Sequence, residues 1–159
     1  MTKKTIYITG ASSGFGAACA RRFAREGWRL VLTGRRRGHL ERLRDELKAD
    51  CHLLVQDVRD RERIAEDLAA LPEAFWEIEV LVNNAGLALG MAPAPEADLD
   101  QWETMIDTNI KGLVYCTRLI LPGMVARGIS SISVRWRATG PIRAATSMGP
   151  ARPLSSSSP

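Results

Sequence analysis

Along the first part of this chain the apolar residues switch repeatedly between the period of a strand and that of a helix. "KKTIYITG" is a short β-branched run ending at Thr9-Gly10 and predicts a buried first strand. From Gly14 onward Phe15, Ala18, Cys19, Phe23 and Ala24 recur at helical spacing, and Gly27 supplies the stop. "WRLVLTG" predicts a second strand and "HLERLRDELKAD" an amphipathic helix with its charges outward. "CHLLVQDV", "RDRERIAEDLAAL" and "IEVLVNNAG" continue the alternation as strand, helix and strand. After the loop "LALGMAPAPEADLD" a long helical stretch runs from about Gln101 to Met124, opened by an aspartate-rich cap and interrupted by Pro122.

Strand and helix alternating in this way call for right-handed crossovers and a parallel sheet covered on both faces. The predicted architecture is α/β, a Rossmann-type doubly wound sheet in three layers, αβα, with four legible strands and their helices. It is incomplete, because no fifth strand is legible. At 159 residues with 45% hydrophobic content, the chain suits one soluble domain. That domain is expected over residues 1–128, with an aberrant tail without ordered structure over 129–159 ending in "SSSSP". Such a fragment leaves the fourth strand as an unpaired sheet edge and is expected to be poorly soluble or partly molten.

Charge changes the picture only at the end of the chain. Residues 1–107 hold 15 Lys and Arg against all 18 acids, whereas residues 108–159 hold seven basic residues and no acid. The basic residues there form no helical stripe and carry no interleaved aromatics, so nucleic acid is not the expected partner. No apolar run near the start is long enough for a signal segment or a membrane span, and membrane association is not expected either. Three cysteines without a metal-type spacing point to reduced thiols and a cytoplasmic location. With only His39 and His52, a histidine-based zinc site or Ser-His-Asp triad has almost no material.

"TGASSGFG", Thr9 to Gly16, stands where a phosphate cradle belongs, after the first strand and at the opening of the first helix. Gly10 permits the tight turn, Gly14 lets backbone approach a pyrophosphate, and Gly16 allows the helix to pack closely on the strand. The helix start then offers free N–H groups and a positive dipole end to phosphate. After the second strand an NAD site needs a carboxylate for the ribose 2′-OH; this chain has Arg35, Arg36 and Arg37 instead. Forked guanidinium donors match a 2′-phosphate, which favours NADP, with a solvated helix entrance as the alternative. Asp57-Val58 and Asn83-Asn84-Ala85-Gly86 end the third and fourth strands on the same sheet edge, and Asp57 could accept from an adenine amino group. Each could instead be a helix cap or a turn.

Taken together, T-G-x-x-x-G-x-G, Asp57-Val58, the "NNAG" tetrapeptide and Asn109 within "MIDTNIKGLVY" resemble the short-chain dehydrogenase/reductase family. The run "LVNNAGLALGMAPA…WETMIDTNIKGLVYCTRLILPGMVARG" resembles more closely its NADP-dependent 3-hydroxy acid dehydrogenases, which act on serine and allo-threonine. The likeness covers residues 4 to about 128. It implies that Gly10, Ala11, Ser12, Ser13, Gly14, Phe15 and Gly16 form the pyrophosphate side, and that Arg35 and Arg36 hold the 2′-phosphate. Asp57 and Val58 would flank adenine, and Asn84, Ala85 and Gly86 the nicotinamide-proximal ribose. Asn109 would be the asparagine of the catalytic tetrad, and the full-length form a homotetramer acting on a small alcohol or 3-hydroxy acid.

The rest of that tetrad, a Tyr, a Lys four residues later and a Ser thirteen before the Tyr, is missing. The only tyrosines are Tyr7 and Tyr115, and no lysine follows Lys111. Two explanations stay open: a non-catalytic NADP-binding module or pseudoenzyme, and a shifted reading frame. Reading one base out of frame, from the last base of the Ser133 codon into that of Ser155, the genetic code permits Gly-Ser-Val-Ala-Gly-Asn-Trp-Pro-Tyr-Pro-Gly-Gly-Asn-Val-Tyr-Gly-Ala-Ser-Lys-Ala-Phe-Val. A Ser then stands at Arg135, the Tyr at Met148 and the Lys at Arg152, with the family's spacing. Out-of-frame reading of a GC-rich gene also accounts for the loss of acids in this region.

Overall fold

A computed structural model describes residues 3–90, 92–129 and 132–134. The strands are β1 (Thr5–Ile8), β2 (Arg29–Gly34), β3 (Cys51–Val55), β4 (Ile78–Asn83) and β5 (Ile132–Val134). Helices α1 (Gly14–Arg25), α2 (Arg37–Leu47) and α3 (Arg61–Ala69) follow the first three strands in turn. The long helical segment is α4 (Leu99–Ile106), a wider π turn over Asp107–Lys111, and α5 (Gly112–Ala126). Every pairing is parallel and the strand order is β3-β2-β1-β4-β5. The chain winds outward through β3 and then returns to β4 beside β1, which puts the reversal of direction between β1 and β4.

Alternation along the strands builds the two cores. Ile6 and Ile8 of β1, Leu30 and Leu32 of β2 and Val82 of β4 face one way and pack on Ala17 and Ala20 of α1 and Leu40 and Leu43 of α2. Tyr7, Val31, Leu54 and Leu81 face the other way, against Ile120 and Met124 of α5, while Ile64 of α3 meets Cys116 of α5 nearby. Both faces are therefore covered, which is why these strands are almost continuously apolar rather than alternating with polar residues.

Two expectations need correcting. The β4 edge is not unpaired: Leu81, Val82 and Asn83 pair with Ile132, Ser133 and Val134. Three residues are too short a run to stand out by periodicity. The ordered sheet thus extends past Gly128; the remainder of the tail, residues 135–159, lies outside the described residues. Pro122 does not interrupt the helix either, because α5 continues to Ala126. The proline removes one backbone donor, but burial of Ile120 and Met124 on either side holds the last turns against the sheet.

Candidate functional site

At the carboxyl ends of the strands, where winding reverses, a cavity of about 500 Å³ opens, within the range of small-molecule sites. Open α/β sheets place ligands at this point. The hydroxyl of Thr9 ties the reversal together: it donates to the Val82 carbonyl at 3.3 Å and accepts from the backbone N–H groups of Asn84 and Ala85, each at 2.9 Å. Asn84 returns the link, its Nδ2 donating to the carbonyls of Thr9 at 3.1 Å and Gly10 at 3.0 Å. The loop after β4 is thereby fastened to the turn after β1.

Each glycine of that turn has its own reason. Gly10 has φ +63°, and a Cβ there would stand 2.8 Å from Ala85 Cα. Gly14 has φ +55° with open space where a Cβ would project, so its backbone is bare toward the cavity it lines. Gly16 is buried, and a Cβ would meet the Gly10 carbonyl and Asn84 Nδ2 at 2.5 and 2.6 Å. Ser13 precedes α1 without a side-chain cap bond, and the first turn carries no acid. The opening amides of α1 and their dipole are thus presented to whatever occupies the cavity.

Of the residues expected here, Gly10, Ser12, Ser13, Gly14, Phe15, Arg35, Arg36, Asp57, Val58, Asn84, Ala85 and Gly86 line the cavity together. Ala11 and Gly16 are not among the lining residues. Ala11 is fully buried with its N–H donating to the Thr33 carbonyl at 2.9 Å, and Gly16 is the contact between helix and turn. Arg36, at the start of α2, leans across the turn, its Nη2 donating to the hydroxyls of Ser12 and Ser13, each at 3.4 Å. Arg37 points elsewhere and pairs with Glu41. Asp57 is clasped by Arg59, which is why its carboxyl is held below the ordinary carboxylate range despite partial burial.

Asn109 lies in the π turn and not on the cavity wall. Its Oδ1 accepts from the Leu87 N–H at 2.9 Å and its Nδ2 donates to the Leu87 carbonyl at 2.8 Å, so its amide pins the loop after β4. Widened turns of this kind recur at functional positions.

Gln56, Gly34, Leu87 and Thr108 also line the cavity, and pattern reasoning missed them. Gln56 is buried and donates to the Tyr7 hydroxyl at 2.7 Å. A glutamine closing an apolar strand just before Asp57 was the available signal. Burial pushes the Tyr7 hydroxyl far above its usual range, so this tyrosine is no proton acceptor for the site.

The family model described as short chain dehydrogenase matches residues 4–134. Over 122 residues the chain is 53% identical to the NADP-dependent 3-hydroxy acid dehydrogenase YdfG of Escherichia coli strain K12, covering 77% of this chain and 49% of that protein. Over 123 residues it is 52% identical to the serine 3-dehydrogenase of Rhizobium radiobacter, again with 77% and 49% covered. A crystal structure of serine dehydrogenase from Escherichia coli matches with a TM-score of 0.78 at 52% identity, over 80% of this chain and 59% of that one. A closed form of serine dehydrogenase complexed with NADP+ gives the same score and identity, over 80% and 52%. The chain spans about half the length of the curated relatives it matches.

Proposed function

This chain belongs to the short-chain dehydrogenase family, and from that membership we propose that its cavity binds NADP(H) in the service of an oxidoreductase acting on a small alcohol or 3-hydroxy acid, of the kind serine represents. One observation carries the reading. The bare backbone of Gly14 and the start of α1 stand at one part of the cavity, with Arg35 and Arg36 on the same wall and no carboxylate closing β2. Peptide N–H groups and the helix dipole suit a diphosphate, while paired guanidinium groups suit a 2′-phosphate. When bound, the nicotinamide ring supplies the hydride donor or acceptor.

The chain's own residues divide the remaining work. Ser12, Ser13 and the Gly14 backbone hold the diphosphate, Arg35 and Arg36 the extra phosphate, and Asp57 and Val58 the base. Asn84 keeps the turn in register with the β4 loop, and Asn109 fixes that loop through Leu87. The residues that would move the proton are the family's Ser, Tyr and Lys, assigned above to Arg135, Met148 and Arg152 in the shifted frame; all three positions lie outside the described residues. Coding DNA across codons 125–160 decides this: third bases that fail to spell the alternative chain dispose of it. The reading of a non-catalytic NADP-binding module then stands, favoured by the absence of Tyr-x-x-x-Lys from the printed sequence.

For the full-length form we also propose a homotetramer and a cytoplasmic location. Leu99, Trp102, Ile106, Ile110 and Val114 are exposed in succession along the α4–π–α5 segment, an apolar stripe suited to self-association. A full-length form that sediments as a monomer would count against the tetramer.

Calorimetric titration of the 159-residue chain tests the cofactor reading directly. NADPH is expected to bind more tightly than NADH, and Arg36→Ala to cost NADPH about tenfold in affinity while leaving NADH little changed. A chain that ignores NADPH, or prefers NADH, overturns it.

A further inference from the structure

Behind the cavity wall, Arg59 folds back onto Asp57. Its Nε lies 3.0 Å from Oδ1 and 3.1 Å from Oδ2, and its Nη2 lies 2.7 Å from Oδ2. Its backbone N–H also donates to Oδ1 at 3.0 Å. Asp57 is the only acid among the described residues that line the cavity, and Arg59 itself is not one of them. The guanidinium reaches the carboxylate from outside the wall and remains partly exposed.

This arrangement has an electrostatic consequence. NADP(H) brings a diphosphate and a further phosphate into one cleft, so a bare carboxylate on the wall would repel it, and the doubly charged 2′-phosphate would suffer most. NAD(H) lacks that group. We propose that Arg59 is a specificity-determining residue, which cancels the charge of Asp57 and so sustains a preference for NADP(H) over NAD(H) without touching either. The proposal rests on the NADP(H) reading of the cavity. Arg59 also braces the turn, but the two roles differ in what they change: lost bracing affects both nucleotides alike, whereas an uncancelled charge penalises the 2′-phosphate and is screened by salt.

Calorimetric titration of the 159-residue chain with NADPH and NADH distinguishes them. Arg59→Gln is expected to weaken NADPH about fivefold and NADH less than about twofold, from unscreened repulsion across the cleft. Arg59→Lys should stay near wild type, because the positive charge remains. Added salt should shrink the Arg59→Gln loss, because mobile ions screen the carboxylate that the variant leaves uncancelled. Equal losses for both nucleotides, unchanged by added salt and shared by Arg59→Lys, overturn the assignment and leave Arg59 a brace only. A wild-type chain that does not bind NADPH overturns the cofactor reading itself, which the wild-type titration alone reveals.

Discussion

Two glycines separated by Phe15 alone would fail in different ways if each gained a methyl group. At Gly14 the space is open but φ is +55°, so Gly14→Ala carries only the left-handed backbone cost, about 1 kcal/mol. On the proposed NADP(H) reading the methyl would also obstruct a phosphate at that bare backbone, so NADPH affinity should fall further than stability. At Gly16 the added carbon meets the Gly10 carbonyl and Asn84 Nδ2, and neither can retreat without opening the seam between β1 and β4. Gly16→Ala should therefore cost about 3 kcal/mol of folding free energy, from overpacking together with a weakened hydrogen bond. Urea denaturation of both variants checks the ranking, and a Gly14 variant less stable than the Gly16 variant contradicts it. The T-G-x-x-x-G-x-G spacing made all three glycines legible in the sequence. The division between Gly14, toward a ligand, and Gly16, toward packing, was legible too; the contact of Gly16 with Asn84 was not, because Asn84 follows β4 some seventy residues away.

At the scale of elements, β1 to β4 were readable because each is an apolar run closed by Gly, Asp or Asn, and α1 to α3 because their buried positions keep helical spacing. The π turn was not, since one additional residue in a turn barely disturbs that spacing; neither was β5, whose three residues are defined by pairing with β4. Gln56 and Thr9 escaped for the same reason, their roles being set by where the sheet brings distant residues together, whereas Arg59 escaped although its partner Asp57 is two residues away. The π turn has a measurable task. Asn109 exchanges two hydrogen bonds with Leu87, so Asn109→Ala should cost about 2 kcal/mol and release the loop after β4. Faster amide exchange at Leu87 is the expected sign. Asn109→Asp, which keeps the acceptor but sets a carboxylate oxygen against the Leu87 carbonyl, should release the loop at least as much; protection at Leu87 unchanged in both variants would mean that the loop is held by something else.

Across the whole molecule, the layer between the sheet and α3 and α5 sets a limit on the alkaline side. Burial pushes the Cys116 thiol up to about 12, and the Tyr7 hydroxyl behind it is raised as well. Half-buried Cys51, on the outer strand β3, is pushed up to about 11, chiefly by its own burial. For a group whose folded pKa is raised, the unfolded chain gives up its proton first. Its stabilising contribution is then complete below the unfolded value near 9 and is lost as pH rises toward the folded one. Unfolding free energy should therefore decline between about pH 9 and 12, by at most about 1.4 kcal/mol per pH unit from Cys116, with a smaller share from the more accessible Cys51. Tyr7 steepens the decline above the pH at which a free phenol titrates, near 10. Urea unfolding at stepped alkaline pH measures the slope, and Cys116→Ala, although less stable at neutral pH because of the cavity it leaves, should show a shallower one. An identical slope in that variant would mean that alkaline loss begins elsewhere, with the ion pairs of the surface rather than the thiol under the sheet.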